Sequence, residues 1–177
     1  QSSADQDSIL ALLPTESIEH PFWRASKMWN AADQESIIAV FQYVYGHVEP
    51  HQRLAAQAAY NLSVLHGMKG DEERRREFLT RAAICDQRAQ LKESAALQEL
   101  ALALMNDKGE AERANRYLSL AIADALFFGN RLRLLKISKK VPAIVFDYGQ
   151  QLATANDHLH ILLADMGVLA LLLIIAV

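Results

Sequence analysis

The sequence predicts an all-α chain in which paired helices stack as a right-handed superhelical solenoid, followed by a C-terminal hydrophobic helix. Three observations predict it. Between Pro50 and Pro142 there is no proline and only four glycines, as a run of long helices requires. Within that span apolar residues recur at helical spacing in successive pairs of segments separated by short polar turns. The second pair then repeats the first in one register: Gly70 and Gly109, Leu79 and Leu118, and Ala82 and Ala121 are each 39 residues apart.

The better-formed pair runs from Ala95 to Ala125. Leu97, Leu100, Ala101 and Leu104 form the stripe of its first helix, and Ala114, Tyr117, Leu118, Ala121 and Ala125 that of its second. Gly109 sits in the turn between them. The alanines let two backbones approach while Leu and Tyr fill the groove, which is the packing logic of tetratricopeptide repeats. Upstream, an apolar helix, a turn at Lys69-Gly70-Asp71 and a helix carrying Phe78, Leu79, Ala82 and Ala83 follow the same order. The period exceeds the roughly 34 residues of the standard repeat, and Arg75 stands where Ala114 stands in the second copy. The two copies are therefore degenerate tetratricopeptide-like repeats, packed through Gly70, Leu79, Ala82, Leu97, Ala101, Gly109, Ala114, Leu118 and Ala121.

Residues 1–50 read as N-terminal helices or a partial repeat. An apolar segment from Asp7 to Leu13 stops at Pro14, and a helix around Phe22 to Ala32 starts after Pro21, a residue that suits a first turn. Asp33 or Asn30 can cap the next helix, Glu35 to Tyr45, whose stripe is Ile37, Val40, Phe41 and Val44. Gly46 and Pro50 are expected to close it. Residues 51–158 hold the two repeats and a following helix from Arg131, which Pro142 kinks or ends.

Length and charge narrow the classes of function. At 177 residues the chain can bury a sizeable core. Its 18 basic and 21 acidic residues leave a net charge of −3, so no strong global field for nucleic acid exists, and no nucleic-acid partner is expected. One cysteine, Cys85, excludes an internal disulfide and reads as a buried small hydrophobe. No glycine-rich phosphate loop, nucleophile elbow or HExxH sequence occurs, so neither catalysis nor a cofactor is expected. Of the histidines, His158 and His160 point to different sides of a helix, and Pro50 breaks the helix between His47 and His51, so no metal site is expected.

Two stretches remain for partners. Arg131 to Lys140 carries five cations and no acid, which makes Arg131, Arg133 and Lys136 the best candidates for a partner-binding surface, with a solvated face or a salt bridge to Asp124 as the plainer account. Residues 159–177 are almost wholly apolar, interrupted by Asp165. A spanning helix needs about 20 residues, so this run of 19 reads as the start of a transmembrane helix that the given sequence cuts, and alternatively as a helix buried in the core or in a homodimer interface. No Lys or Arg occurs from Val141 to His158, which places the preceding domain outside the cytoplasm by the charge rule for membrane flanks.

The stretch from Ala59 to Val145 resembles a bacterial family in which degenerate tetratricopeptide repeats precede one transmembrane helix, a cytoplasmic coiled coil and a helix-turn-helix region. The resemblance rests on Lys69-Gly70-Asp71, on Leu97, Glu99, Leu100 and Ala101, on Gly109, Arg113-Ala114 and Tyr117, and on Asp124-Ala125, Phe127, Arg131-Leu132-Arg133, Ile137-Ser138 and Pro142. Gly129-Asn130 departs from the family's usual Asn-Ala. The resemblance implies the sensor part of a membrane-anchored bacterial transcriptional regulator, lying on the periplasmic side of the inner membrane and binding a protein or peptide through the groove of its stacked hairpins. The alternative is a soluble scaffold or chaperone-like adaptor.

Overall fold

The computed structural model describes residues 3–29, 33–89, 95–105, 107, 109–139 and 141–176, and of these the side chains other than 3–6, 141–148, 151, 152, 155 and 170–176. Among the described residues every regular element is an α-helix: α1 (Ser3–Leu12), α2 (Glu19–Lys27), α3 (Gln34–His47), α4 (Arg53–Met68), α5 (Glu72–Arg88), α6 (Ala96–Met105), α7 (Ala111–Phe127), α8 (Arg131–Ser138) and α9 (Val141–Ala176). Pro21 lies in the first turn of α2, where its missing N–H leaves no intrahelical bond unmade. The Asp33 carboxylate caps α3 by accepting the Ser36 amide at 3.1 Å, while Asn30 lies outside the described residues.

The pair α4 and α5 shows how a short turn folds a chain back on itself. The Asp71 amide donates to the His66 carbonyl at 3.0 Å and the Gly70 amide to that of Gly67 at 3.0 Å, a Schellman closure that needs a left-handed residue. Gly70 supplies it at φ +76°. Asp71 then serves a second time, its carboxylate accepting the Arg74 amide at 3.1 Å as the cap of α5. The turn between α7 and α8 repeats the device: Asn130 donates to the Ala125 carbonyl at 2.8 Å, Gly129 has φ +64°, and the Asn130 side chain accepts the Arg133 amide at 3.0 Å. Gly129-Asn130 is thus a chain reversal built like Gly70-Asp71.

Gly109, at φ +85°, has nothing within 4 Å of where a Cβ would stand. Gly109→Ala therefore costs only left-handed backbone strain, about 1–2 kcal/mol, and should lower the urea midpoint with an unchanged slope. A change below 0.3 kcal/mol on the same ~1 kcal/mol scale would show that the turn re-forms without it.

Helices touch mainly their sequence neighbours: α4 with α3 and α5, α6 with α5 and α7. Two buried clusters result. One joins Phe22 and Ala25 of α2, Ile37, Ile38, Phe41 and Val44 of α3, the α4 residues Ala55, Leu62 and Leu65, and Phe78 and Cys85 of α5. The other joins Ala59 of α4, Leu79, Ala82 and Ala83 of α5, Leu97, Leu100 and Ala101 of α6, Leu118 and Ala121 of α7 and Ile137 of α8. Helix α5 faces both, because Phe78 and Leu79 are successive residues and diverge by a third of a turn.

Two local expectations need correction. Helix α3 runs through Gly46 to His47 instead of ending at the glycine, since Val44 at 0 % exposure holds that last turn to the core. Pro142 neither kinks nor ends α8, which stops at Ser138; it lies in the first turn of α9, a place where proline costs no hydrogen bond. The polar stretch 153–158 does not interrupt the last element, and α9 is continuous over 36 residues, about 54 Å at ordinary helical rise.

Its described apolar side chains are exposed on all sides: Leu159, Leu162, Met166 and Leu169 on one, Ile161, Leu163 and Val168 on the others. Burial in the chain's own core is therefore excluded for 159–169. Among the described residues no helix is long and apolar enough to cross a membrane. The apolar side chains from 170 onward lie outside those residues.

Candidate protein-interaction surface

A hairpin repeat buries one face of each helix and leaves another for partners. In α4 the buried stripe is Ala55, Ala58, Ala59, Leu62 and Leu65, and beside it Gln57, Tyr60, Asn61 and Val64 form a half-buried stripe at helical spacing. In α6 the corresponding half-buried residues are Glu99, Leu102 and Met105. The two stripes converge electrostatically. Burial raises the Tyr60 hydroxyl above its ordinary pKa, and the Glu99 charge adds to the rise.

Arg75 joins them from α5. It bonds Glu72 at 2.8 Å, the chief cause of its raised pKa, and it also senses Glu99. Its aliphatic stem lies so close to Gly67 that a Cβ there would stand 2.7 Å from Arg75 Cδ. The large Arg75, at the place of the buried Ala114 in the other copy, is accommodated because the facing α4 residue is a glycine. Tyr60, Arg75 and Glu99 thus bring a hydroxyl, a guanidinium and a carboxylate to half-buried positions on α4, α5 and α6, on the same stripes as Val64 and Leu102. Such a set can hydrogen-bond a backbone and pack an apolar side chain.

The sequence-derived cations are divided. Arg131 and Lys136 are exposed, but Arg133 is 6 % exposed and faces inward with Ile137. Residues two apart on a helix diverge by about 200°, whereas four apart they align. Arg133 therefore does not belong to an open basic face. Of the packing residues, Leu79, Ala82, Leu97, Ala101, Ala114, Leu118 and Ala121 are all buried, and Gly70 and Gly109 occupy left-handed turns. Sequence reading missed Tyr60 and Arg75; the signal was the second stripe on α4, which does not follow the packing face.

The two copies are also tied directly. Arg76 of α5 makes a bidentate pair with Asp107 beyond α6, at 2.5 and 3.2 Å. That bond holds the Asp107 carboxyl below its ordinary pKa. The family model described as the SusR N-terminal TPR domain matches residues 1–139. The chain belongs to this family. No curated protein and no solved structure matches the chain. For the SusR N-terminal TPR domain the match starts at residue 1, so α1 to α3 fall within the domain together with both hairpins. Among the described residues no group of three or more His, Cys, Asp or Glu side chains is placed to hold a metal.

One buried group predicts a pH dependence of stability for this TPR domain. His66 is 2 % exposed, stacks on Phe78 at 5.4 Å and 4°, and among the described residues has no hydrogen-bond partner for either ring nitrogen; Asp71 lies 3.6 Å away. Burial lowers its pKa, Asp71 and Glu35 oppose the shift, and Arg74 and Lys69 add to it. The folded imidazole binds its proton less readily than the unfolded one, so this contribution is complete above about pH 6.5 and is lost as pH falls through the lower folded value. The melting temperature should fall between pH 7.5 and 5, and the fall should be smaller in His66→Phe. Parallel curves for the two proteins would refute the assignment.

Proposed function

We infer that the chain is a non-enzymatic protein-interaction domain, a helical-hairpin solenoid of right-handed twist that holds a protein or peptide on the face carrying Tyr60, Arg75 and Glu99. Membership of a TPR family supports the interaction role, and the half-buried stripes of α4 and α6, with Arg75 of α5 packed against Gly67, are the observation that carries this face. Arg131 and Lys136, exposed at the far end, extend the same reading. A photo-crosslinking amino acid at Asn61 should trap a partner in cells, while one at the exposed Ser119 of α7 should not. Equal capture at both positions, or capture only at Ser119, would overturn the choice of face.

The second part of the reading is that the domain serves a membrane-anchored bacterial transcriptional regulator as its periplasmic sensor. It is supported by the exposed apolar side chains around all sides of α9 from 159 to 169, which need cover from a bilayer or a second copy, and by the absence of Lys and Arg from 141 to 158. Ligand-induced change in the stacking of the hairpins would reach the anchor through α9, which touches α6, α7 and α8. Fractionation of the natural protein with protease added to spheroplasts tests this. A domain that sediments with membranes and is cut from outside supports it; a domain found in the soluble fraction refutes the anchor and favours the scaffold reading.

A further inference from the structure

We propose that the cleft formed by α1, α2 and α3 binds a small amphiphilic monoanion, a carboxylate on an aliphatic body, at a site separate from the α4 to α6 face. A cavity of about 500 Å³ opens between α2 and α3, within the range of small-molecule pockets. Ala25 and Ile37, at 5 % and 2 % exposure, form its floor, and the half-buried Val40 forms one wall. Among the described residues no Phe, Tyr or Trp lines it, and its floor is alkyl, so the body that fits is aliphatic.

The head group is specified by charge. His20 and Arg24, four residues apart on α2, share one face of the helix and line this cavity. They also line a second cavity of about 410 Å³, bounded in addition by Leu10 and Lys27, so the two spaces meet at the same pair. Among the described residues no Asp or Glu lines either one. Lys27 is bonded to Asp7, whereas Arg24 has no ion-pair partner among the described residues. A guanidinium of that kind beside an apolar floor favours a carboxylate head with its tail inside, and the imidazole of His20 can add a ring N–H donor. Met28, 39 % exposed and common to both cavities, gives the rim an adaptable thioether.

The test is calorimetric titration of the whole chain with octanoate, repeated with the neutral octanamide and with Arg24→Gln. Octanoate should bind at one site, and both losing the charge on the ligand and losing it on the protein should weaken binding about tenfold. Arg24 is exposed, so unchanged circular dichroism of Arg24→Gln will certify its fold. As a second variant, Val40→Phe should narrow the cavity and weaken octanoate while leaving the Asn61 crosslink intact. Equal binding of octanoate and octanamide, no octanoate binding, or tight binding of an acidic peptide but not of octanoate would each overturn the proposal.

Discussion

Phe41→Ala should lower the unfolding free energy by about 3–5 kcal/mol. The ring is 0 % exposed, packs edge-on to Phe22 at 5.4 Å and 68°, and tilts against Trp29 at 5.9 Å. It is a central contact between α2 and α3 in the cluster that also holds Ala25, Ile37 and Ile38. Neighbour-to-neighbour packing gives the end units of a stack only one supporting interface, so the loss should be concentrated at the N-terminal end. Trp23 and Trp29 lie there and report it. In urea the tryptophan fluorescence of the variant should change before the helical circular dichroism does. A loss below about 1 kcal/mol, or coincident transitions at an unchanged midpoint, would show that Phe41 does not join these helices.

The second large effect comes from Leu79 and Leu118, which the 39-residue register relates and which are 1 % and 4 % exposed. Each change to Ala should cost about 2–5 kcal/mol. Both side chains belong to the cluster that joins the two hairpins. The costs should therefore fail to add, with an interaction of about 0.5–3 kcal/mol in a double-mutant cycle. Strict additivity would mean that the hairpins have separate cores and that the register is a pattern without a shared interior.

Much of the fold was legible because it rests on local rules. The left-handed turns at Gly70 and Gly109 follow from glycine's missing Cβ, and the stripes of α6 and α7 follow from a 3.6-residue period. Pro142 was misread because proline ends one helix and opens another with equal ease, and nothing nearby in sequence distinguishes the two. The proposed interaction face was scarcely legible. Arg75 departs from the repeat in sequence and only the packed helices place Gly67 against it, and Tyr60 of α4 feels the Glu99 charge only because α6 folds back near it. The basic run misled for a simpler reason: charge counted along the chain ignores which way each side chain turns, and Arg133 turns inward.

What the amino-acid sequence determined by itself was the helical class, the hairpin register and the positions of its turns, since each depends on residues within a few positions of one another. Tertiary packing decided which face of α4 stays available, that α5 serves two cores, and that α2 and α3 enclose a cavity with an unpaired arginine among the described residues. Those outcomes depend on side chains from separate helices meeting in space, and burial, charge and cavity volume exist only after they have met.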